Sequence, residues 1–453
     1  MPARQGKGLP PPPIGPRPKV PLGTAVPLLL RFDSKGPGHE PAGAATAGGT
    51  GGVEVEDRQE RNLAATALPL LHGARPQPGV ALRGSSLASP EPAPIPSLPD
   101  AVMPAAILPA AALAAEDAAL DPRALPRNPP ATYAALDLGT NNCRLLIARP
   151  AQHGFRVVDA FSRIVRLGEG LAASSRLCDA AMDRAVEALK ICRSKMLHRN
   201  VTRARLVTTE ACRAAVNGSD FVRRVAEEAE LELEIIDQRT EATLAVSGCA
   251  ALADPAAEGI IVFDIGGGST EIVWMGGRSE ARDPAARIRE WASLPIGVVT
   301  VAERYGGVDV SRALFETMVE DCGRELEAFA TKAAAARGAR NFHLLGTSGT
   351  VTTVAGIHLG LARYDRREVD GLWMRQEEIL AVIDRLVEMD YAARAANACI
   401  GRERADLVLA GCAIFEAIRR AFPSERVRIA DRGLREGILL RMMHEDRAWW
   451  RRR

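Results

Sequence analysis

The chain has 453 residues, with 58 Lys and Arg against 56 Asp and Glu, so its formal net charge at pH 7 is only +2. A charge balance this close to neutral argues against a protein that coats nucleic acid, because such binding depends on an excess of positive charge. The 8 cysteines are scattered without a Cys-x-x-Cys pair. This argues against a zinc site or a disulfide framework and suits a cytoplasmic protein with small buried thiols.

The first part of the chain has a composition that cannot support a packed core. Of the 30 prolines, 25 precede Ala131, together with a single aromatic residue, Phe32, and no cysteine. Since so few large side chains bury too little surface to offset the loss of chain entropy, we expect residues 1–128 to be a disordered tail. The apolar stretch at 101–115 is too short to span a membrane and contains Pro104 and Pro109. We also expect no cleaved signal peptide, because no compact apolar segment follows the first charges.

Alternating apolar residues and helical periodicity predict the elements of the next part of the chain. Strands are expected at 133–138, 143–149, 155–162, 205–208 and 233–236, and helices at 179–197, 219–230 and 242–252. The helix at 179–197 carries an apolar stripe that includes Met182, Val186 and Leu189, as an amphipathic helix does. Ser219 is expected to cap the helix that it begins. These elements predict a first lobe in which helices pack on a sheet.

A short polar turn separates the first two predicted strands. The first strand ends near Asp137, Gly139 follows two positions later, and Thr140 and Asn141 come before the next apolar run. This order predicts a β-hairpin whose turn carries a carboxylate and small polar groups.

A second stretch, at 260–274, repeats this order with a more distinctive turn. A β-branched apolar run ends at Asp264, three glycines follow at 266–268, and a second apolar run begins after Ser269 and Thr270. The two aspartates are separated by 264 − 137 = 127 positions. This spacing indicates an internal duplication, with one hairpin in each of two lobes.

Three consecutive glycines at the end of a strand are typical of a turn that binds phosphate. Without Cβ atoms, these glycines are expected to adopt positive φ and to let successive N–H groups approach phosphate oxygens closely. Ser269 and Thr270 add hydroxyl donors, and Asp264 is placed to hold a divalent cation directly or through water. A tight hairpin without a ligand is the alternative interpretation of this stretch.

The second lobe continues with a third turn that contains glycine and hydroxyl side chains. This turn, at 346–350, follows a short predicted strand at 342–345. Beyond it, helices are expected at 311–336 and 375–388, a strand at 427–430 and a final helix at 434–444. The alternation of strands and helices predicts an α/β class with helix-covered sheets. Three such turns, each leaving a strand, indicate a cleft between two lobes that binds a nucleotide or a polyphosphate.

The three turns carry a resemblance to known proteins. They read Asp-Leu-Gly-Thr-Asn at 137–141, Asp-Ile-Gly-Gly-Gly-Ser-Thr-Glu at 264–271 and Gly-Thr-Ser-Gly-Thr at 346–350. In this order they resemble the phosphate-binding segments of the actin-like ATPase superfamily. Within it they are most similar to the exopolyphosphatase and guanosine pentaphosphate phosphohydrolase family, with further matches at 166–171, 209–213 and 431–437.

The resemblance covers about residues 131–443 and implies a fold. We expect an α/β protein with two actin-like (ribonuclease H-like) lobes and a cleft between them, preceded by the disordered tail. The first lobe would comprise residues 129–256 together with a C-terminal helix at 434–447, and the second lobe residues 257–433. The final helix would cross back to pack on the first lobe.

The resemblance also implies roles for individual residues. Glu241 matches the position of the family's water-activating glutamate, although the family usually continues Glu-Ala-Arg and this chain has Thr243 in place of that arginine. Independently of the resemblance, two carboxylates at one phosphate site suit Mg²⁺ or Mn²⁺, so Asp264 and Glu271 are expected to hold the ion. Asp137 is expected to contribute from the first hairpin, and a turn-capping aspartate is its alternative interpretation. The expected phosphate-binding residues are Gly139, Thr140, Asn141, Arg213, Gly266, Gly267, Gly268, Ser269, Gly346, Ser348 and Gly349.

Arginines near these motifs are expected to line the cleft. Arg144, Arg163, Arg166 and Arg213 lie in or beside the motifs of the first lobe, where they would attract the charge of a phosphate chain. A scattered surface arginine is the alternative interpretation for each of them.

From the resemblance, we expect a metal-dependent hydrolase that removes the terminal phosphate of inorganic polyphosphate. Guanosine pentaphosphate 5′-phosphatase is the nearest alternative, since it needs the same chemistry. A small-molecule kinase or ATPase stays open, and so does a non-catalytic polyphosphate-binding sensor, because of Thr243. We expect no nucleic-acid or membrane partner, and a homodimer stays open as the assembly state.

Overall fold

The structure, a computed structural model, describes residues 131–152, 154–277 and 283–449. The disordered tail expected at residues 1–128 lies outside this range, so that expectation stays a prediction.

The first sheet has five strands in the order β3-β2-β1-β4-β5. The strands are β1 Tyr133–Leu138, β2 Asn142–Ala151, β3 Gly154–Ile164, β4 Arg203–Thr208 and β5 Glu234–Ile235. The first three strands pair antiparallel, whereas β4 and β5 run parallel to β1. The hairpin predicted around the first polar turn is therefore present, with Asp137 opposite Arg144 across its two strands.

Four helices belong to the segment between β3 and β5: α1 Leu171–Ser174, α2 Asp179–His198, α3 Glu210–Ala214 and α4 Gly218–Ala229. The apolar stripe of α2 is buried against the first sheet, as its periodicity predicts. The predicted cap of α4 is wrong, because the helix begins at Gly218 and Asn217 precedes it. The Asn217 side chain instead accepts from the N–H of Leu177 at 2.9 Å and donates to the Leu177 carbonyl at 3.0 Å.

The second sheet has six strands in the order β10-β11-β9-β6-β7-β8. The strands are β6 Gly259–Ile265, β7 Thr270–Gly276, β8 Ile288–Leu294, β9 His343–Thr347, β10 Trp373–Arg375 and β11 Arg426–Ala430. Strands β6, β7 and β8 form an antiparallel meander, and β9 lies parallel beside β6. The first sheet has the same arrangement, with β1, β2 and β3 as the meander and β4 beside β1. The internal duplication inferred from the spacing of the two hairpins is thus visible in the topology.

Helices cover the second sheet around a large apolar core. They are α6 Val298–Tyr305, α7 Arg312–Lys332, α8 Gly349–His358, α9 Arg366–Val369, α10 Gln376–Glu388, α11 Tyr391–Ala396 and α12 Val408–Ala421. Phe263 of β6 contacts Phe415 of α12, with ring centroids 5.4 Å apart. Ser311 caps α7 by accepting from the N–H of Leu314. Side chains from strand and helix therefore close one core, as expected for an α/β lobe.

Two helices lie where the sheets face each other: α5 Gln238–Cys249 and α13 Leu434–Glu445. Ile438 and Leu439 of α13 pack with Tyr133 on the first sheet, so the final helix crosses back to that sheet as expected. Val246 of α5 packs with Val262 on the second sheet. The limits expected for the two lobes, 129–256 and 257–433, stay predictions, since helix α5 contacts both the second sheet and α13.

Glycine allows α5 and α13 to approach closely. A Cβ atom at Gly437 would overlap the carbonyl oxygen of Leu244, and one at Gly248 would overlap that of Gly433. We expect Gly437→Ala to lower the free energy of unfolding by about 1–3 kcal/mol, because backbone has to shift to admit the methyl group. Denaturant unfolding followed by circular dichroism measures this loss.

Gly323→Ala is the matched control for this prediction. Gly323 lies inside helix α7, and a Cβ atom there meets nothing within 4 Å. The control is expected to raise stability by roughly 0.5–1 kcal/mol, the usual gain of alanine over glycine in a helix. Equal stability of the two variants would contradict the close helix crossing.

Two expectations drawn from composition can be compared with the structure. All 8 cysteines lie in the described part, where each is a free thiol, and only Cys178 is exposed. The expected small buried thiols are thus confirmed. Within the described ranges, no helix combines the length and the apolar character needed to cross a bilayer.

Candidate functional site

A cavity of about 140 Å³ lies between the two sheets. Its lining includes three polar turns: the β1–β2 turn, the β6–β7 turn and the start of α8 after β9. The structure therefore brings the three turns singled out in the sequence around one space. Of the expected phosphate-binding residues, Gly139, Thr140, Asn141, Gly266, Gly267, Gly268, Ser269, Ser348 and Gly349 line it, as do Asp137, Glu241, Asp264 and Glu271.

The β1–β2 turn is held by backbone hydrogen bonds. The N–H of Gly139 donates to the carbonyl of Asn142 at 2.9 Å and closes the turn. Thr140 and Asn141 are buried, and their carbonyls accept from the backbone of the segment that follows β3. The Asn141 Oδ1 atom is also buried and accepts no hydrogen bond from any described residue. The turn thus presents an unused side-chain acceptor at the cavity.

The β6–β7 turn is shaped by close approach of the lobes. The expected positive φ at the three glycines is wrong, since none of them is among the glycines with positive φ. Their need for glycine is steric. A Cβ atom at Gly267 would lie 2.8 Å from the Cβ of Thr140 in the other lobe, and one at Gly268 would lie 2.9 Å from Thr140 Oγ1. The carbonyls of Gly266 and Gly267 accept from the first N–H groups of α6, those of Val298 and Val299.

The third turn differs from its prediction at Gly346. This glycine is part of β9 and packs against the ring of Phe263, so it lies outside the cavity lining. Ser348 precedes α8 with φ of 126°, and its hydroxyl accepts from the N–H of Val351. Gly349 begins the helix and faces the cavity. The unpaired N–H groups at a helix N-terminus favour a negatively charged ligand.

Two arginine side chains, one from each lobe, lie close to the N-terminus of α8. A Cβ atom at Gly349 would lie 3.6 Å from Arg404 Nη1 and 3.8 Å from Arg144 Nη2. Both arginines line the cavity, and neither forms an ion pair with a carboxylate of the described residues. Their guanidinium groups are therefore available to bind an anion between the lobes.

Glu241 lies in the first turn of α5, where Asp237 caps the helix by accepting from the N–H of Thr240 at 2.7 Å. Its Oε2 accepts from Arg213 Nη1 at 3.0 Å, and only 13% of its side chain is exposed. Burial raises the pKa of Glu241 well above its usual range, and the nearby charge of Glu271 raises it further, while Arg213 opposes both. The carboxylate is thus both fixed in place and more basic than an ordinary glutamate.

Arg213 has a different position from the one expected. It lies behind the cavity lining and donates to Glu241, to Glu210 at 2.7 Å and to the carbonyl of Ile236 at 2.7 Å. Glu210 itself lines the cavity. Arg213 therefore positions two carboxylates and makes no part of the surface that a phosphate would touch.

Asp264 and Glu271 face each other across the β6–β7 hairpin. Glu271 Oε1 accepts from the hydroxyls of Ser269 at 2.8 Å and Ser293 at 2.9 Å. Burial raises the pKa of Glu271 to about 7, with a further contribution from the charge of Asp264. Burial also raises the pKa of Asp264 to about 6, although Arg144 acts in the opposite direction.

Asp137 completes a set of four carboxylates around the cavity, of which Glu271 is buried and Asp137, Glu241 and Asp264 are half-buried. Burial raises its pKa as well, against the lowering effect of Arg144. Among the described residues, no group of three or more His, Cys, Asp or Glu side chains is close enough to hold a metal ion unaided. The site thus concentrates negative charge without forming a closed protein cage.

Besides Arg213, two more of the four arginines expected in the cleft lie outside the cavity lining. Arg163 is exposed on β3 with its guanidinium over the ring of Phe161. Arg166 forms an ion pair with Asp406 of the other lobe. Neither of these two arginines lines the cavity, so the expectation that they would is wrong. Arg144 does line the cavity, as expected.

The sequence interpretation also missed residues of the site. Arg404 lies in a short turn far from any glycine motif, so no local pattern marked it. Glu210 belongs to the matched stretch 209–213 and was overlooked there. Ser293 was missed because its role depends on pairing between β7 and β8.

A protein-family model and several solved structures match this chain. Residues 146–446 match the model of the Ppx/GppA phosphatase family. A crystal structure of an exopolyphosphatase-like protein is 29% identical, covers 69% of this chain and 99% of that chain, and has a TM-score of 0.62. The Ppx/GppA family member from Aquifex aeolicus is 27% identical, with 70% and 99% of the two chains covered and a TM-score of 0.57.

An exopolyphosphatase from Cytophaga hutchinsonii is similar in fold. It is 23% identical, with 69% of this chain and 98% of that chain covered and a TM-score of 0.62. The predicted fold, an α/β protein with two actin-like lobes, is therefore confirmed. The family match includes the two carboxylate-bearing hairpin strands β6 and β7, helix α5 with Glu241, and helix α13. This chain belongs to the Ppx/GppA phosphatase family.

Proposed function

We propose that this protein is an exopolyphosphatase, which hydrolyses the terminal phosphoanhydride of inorganic polyphosphate with the help of a divalent metal ion. The observation that carries the proposal is Glu241, a carboxylate of raised pKa held by Arg213 at a cavity lined by three polar turns. Two structural relatives of this chain are described as an exopolyphosphatase and an exopolyphosphatase-like protein.

The polar turns and the two arginines that form no ion pair with a described carboxylate, Arg144 and Arg404, would bind the phosphates. Arg144 and Arg404 supply positive charge from opposite lobes, and the N-terminus of α8 supplies N–H donors. Phosphoryl transfer depends mainly on such positioning and on neutralising the charge of the transferred group. The two lobes together would thus hold the terminal phosphate for attack.

Glu241 would orient the attacking water and accept its proton. A general base works best when its pKa is close to the working pH, and burial moves Glu241 in that direction. Its bond to Arg213 keeps one carboxylate oxygen occupied, which leaves the other for water. This division of the two oxygens suits a base whose orientation has to stay constant.

The oxygen donors at the cavity fit Mg²⁺ or Mn²⁺. Mg²⁺ is usually held by one or two carboxylates, several waters and the phosphates of the substrate, so a complete protein cage is unnecessary. Asp137, Asp264 and Glu271 are carboxylates of raised pKa, and Asn141 Oδ1 is a further, buried acceptor without a partner among the described residues. When bound, the ion would neutralise charge on the transferred phosphoryl group.

The replacement of the usual family arginine by Thr243 is compatible with catalysis. Thr243 is half-buried, and its carbonyl accepts from the hydroxyl of Ser247. The positive charge beside Glu241 comes from Arg213, which lies on another helix. An arginine at 243 is therefore unnecessary for anchoring Glu241, and this favours an enzyme over a binding sensor.

Phosphate release by the purified full-length protein tests the proposal. Polyphosphates of several lengths, guanosine pentaphosphate and ATP would each be supplied with Mg²⁺, with Mn²⁺ or with a chelator. We expect metal-dependent release of orthophosphate from polyphosphate. Tight polyphosphate binding without release would favour the sensor, and ATP consumption that needs an added acceptor would favour a kinase.

Guanosine pentaphosphate 5′-phosphatase activity is the second candidate, because part of the cavity wall is apolar. Ile400, Leu407 and Val408 line that wall and offer a surface that a purine could contact. We expect polyphosphate to be preferred, since a phosphate chain needs only repeated contacts with N–H groups and arginines. A competition experiment with both substrates at equal concentration tests this preference. If guanosine pentaphosphate lost its 5′-phosphate preferentially, the assignment would be reversed.

Removing a proposed metal ligand should change the metal requirement. We expect Asp264→Asn to raise the Mg²⁺ concentration for half-maximal activity by about tenfold or more, since an amide oxygen carries no negative charge for the ion. Titration of activity with Mg²⁺ measures this shift. Glu258→Gln is the control, because Glu258 is a surface carboxylate paired with Arg340. An unchanged titration in Asp264→Asn would remove Asp264 from the metal site.

A further inference from the structure

The segment after β3 joins the two lobes at the mouth of the cavity. Arg166 donates through both terminal nitrogens to Asp406, at 2.8 Å and 3.0 Å, and through one of them to the carbonyl of Glu403 at 3.0 Å. The two side chains are only 35% and 24% exposed. A bidentate pair of this kind is more directional than a typical surface ion pair. The hydrogen bond to Asp406 also raises the pKa of Arg166.

On the first-lobe side, Arg166 is tied directly to the β1–β2 turn. The N–H groups of Val165 and Arg166 donate to the carbonyl of Asn141 at 2.9 Å and 3.1 Å, and that of Gly168 donates to Thr140 at 2.9 Å. Arg166 itself has φ of 47°, a left-handed conformation that is unfavourable for a residue with a side chain. The strained backbone is thus fixed to the turn proposed to bind phosphate.

On the second-lobe side, Asp406 belongs to the same short turn as Arg404. The N–H of Leu407 donates to the Arg404 carbonyl at 3.0 Å, and both residues line the cavity. The Asp406 backbone is packed against Gly307, where a Cβ atom would overlap its carbonyl oxygen. Movement of Asp406 would therefore move the turn that places Arg404.

A second bond crosses between the lobes nearby. The N–H of Gly170 donates to Glu303 Oε1 of α6 at 2.8 Å. The first N–H groups of α6 in turn bind the carbonyls of Gly266 and Gly267 in the β6–β7 turn. The segment 165–170 thus contacts the β1–β2 turn directly and is linked to the β6–β7 turn through α6.

The Arg166–Asp406 pair and the Gly170–Glu303 bond hold the lobes together in this arrangement. The two turns also contact each other, since Gly267 and Gly268 lie against Thr140. Parting of the lobes would separate these turns, so contacts between the lobes decide how often the substrate-binding arrangement forms.

We propose that Arg166 and Asp406 form an interlobe clasp, and that both are positioning residues for the substrate-binding arrangement of the polyphosphatase proposed above. The clasp stabilises the closed state, in which Arg404 and the β1–β2 turn face the same phosphate. If only the closed state binds well, the apparent dissociation constant rises as the closed fraction falls. Bound substrate itself bridges the lobes, so turnover at saturation depends little on the clasp.

Variants of the full-length protein test the clasp by kinetics. We expect Arg166→Gln, Asp406→Asn and the double variant each to raise the KM for polyphosphate by about tenfold, with kcat within about twofold of wild type. The double variant should be no worse than either single variant, because both remove one interaction. A lower kcat with unchanged KM, or multiplied effects in the double variant, would overturn the clasp.

Glu169→Gln is the matched control. Glu169 lies three residues from Arg166 and pairs with Arg184 at 2.6 Å, but this pair stays within the first lobe. The control is expected to keep the wild-type KM. An increase in KM equal to that of Asp406→Asn would show a general effect of charge near the mouth and would contradict the clasp.

Hydrogen exchange in the absence of substrate provides a readout that does not depend on the proposed activity. In Asp406→Asn we expect the Gly170 amide, followed within the peptide covering 165–171, to exchange about tenfold faster than in the Glu169→Gln control, because its N–H loses Glu303 when the lobes part. Equal exchange in the two variants would overturn the clasp. Absence of phosphate release by the wild type would overturn only the proposed function, and exchange alone would then decide.

Discussion

Glu241→Gln should still bind polyphosphate but lose turnover by roughly two to four orders of magnitude, which is the usual contribution of a general base. The amide keeps the size of the side chain and an oxygen that can accept from Arg213, so the geometry of α5 is retained. It cannot accept a proton from water. Single-turnover phosphate release, together with binding of labelled polyphosphate, separates the two effects.

The melting temperature of Glu241→Gln should be close to that of the wild type or higher. Glu241 lies among buried like charges, and the nearby charge of Glu271 raises its pKa further after burial. Removal of one charge therefore relieves repulsion within the site. A melting temperature well below that of the wild type would show that lost turnover reflects unfolding.

Glu210→Gln is the informative comparison for Glu241→Gln. Both carboxylates bind Arg213, and both line the cavity. If the role of Glu241 were only to neutralise Arg213, the two variants would lose similar activity. We expect the loss in Glu210→Gln to stay below about tenfold, since the proton acceptor is still present. Retention of most turnover in Glu241→Gln would assign the base to another group.

The two hairpins could be predicted because their signals are local. In each, an apolar run ends at an aspartate, glycine and small polar residues follow, and a second apolar run begins, so the pairing of neighbouring strands is the simplest outcome. Asp137 and Asp264 were placed correctly at the cavity for this reason. The duplication then predicted that both hairpins face one cleft.

Residues whose roles depend on tertiary contacts were predicted less well. Gly346 follows the pattern of a turn, but β9 continues through it and the ring of Phe263 occupies the space of a Cβ atom. Arg166 lies in a motif of the first lobe, yet its partner is 240 positions away. Arg404 reaches the cavity from a turn without any local signature. Such roles follow from packing between lobes, which short-range patterns do not encode.

The three glycines of the β6–β7 turn were predicted correctly to lie at the cavity, but the reason given for glycine at these positions was wrong. Positive φ was expected, because consecutive glycines at a strand end usually supply it. The turn instead needs glycine for close approach: Thr140 of the other lobe fills the space at Gly267 and Gly268, and the Ser269 carbonyl of the same turn fills it at Gly266. A substitution at Gly267 is therefore expected to push the two lobes apart, and not to strain the backbone of the turn itself.

Gly267→Val should accordingly abolish most activity while leaving each lobe folded. A Cβ atom at Gly267 would lie 2.8 Å from Thr140 Cβ and 3.1 Å from the N of Asn141, so the two turns have to move apart. A displacement of about 1 Å between reacting groups is enough to reduce turnover roughly 100-fold. Because the overlap lies between the lobes and outside their cores, the melting temperature should fall only slightly.

A graded series distinguishes this explanation from loss of backbone flexibility. Gly267→Ala places only the Cβ atom in the contact and should lose less activity than valine, whose branches extend further toward Thr140. At Gly139, the nearest atom to an added Cβ is 3.7 Å away, which is an ordinary contact. We therefore expect Gly139→Ala in the opposite turn to lose less activity than Gly267→Ala. Near-normal turnover in a folded Gly267→Val protein would mean that the polar turns need not meet for catalysis.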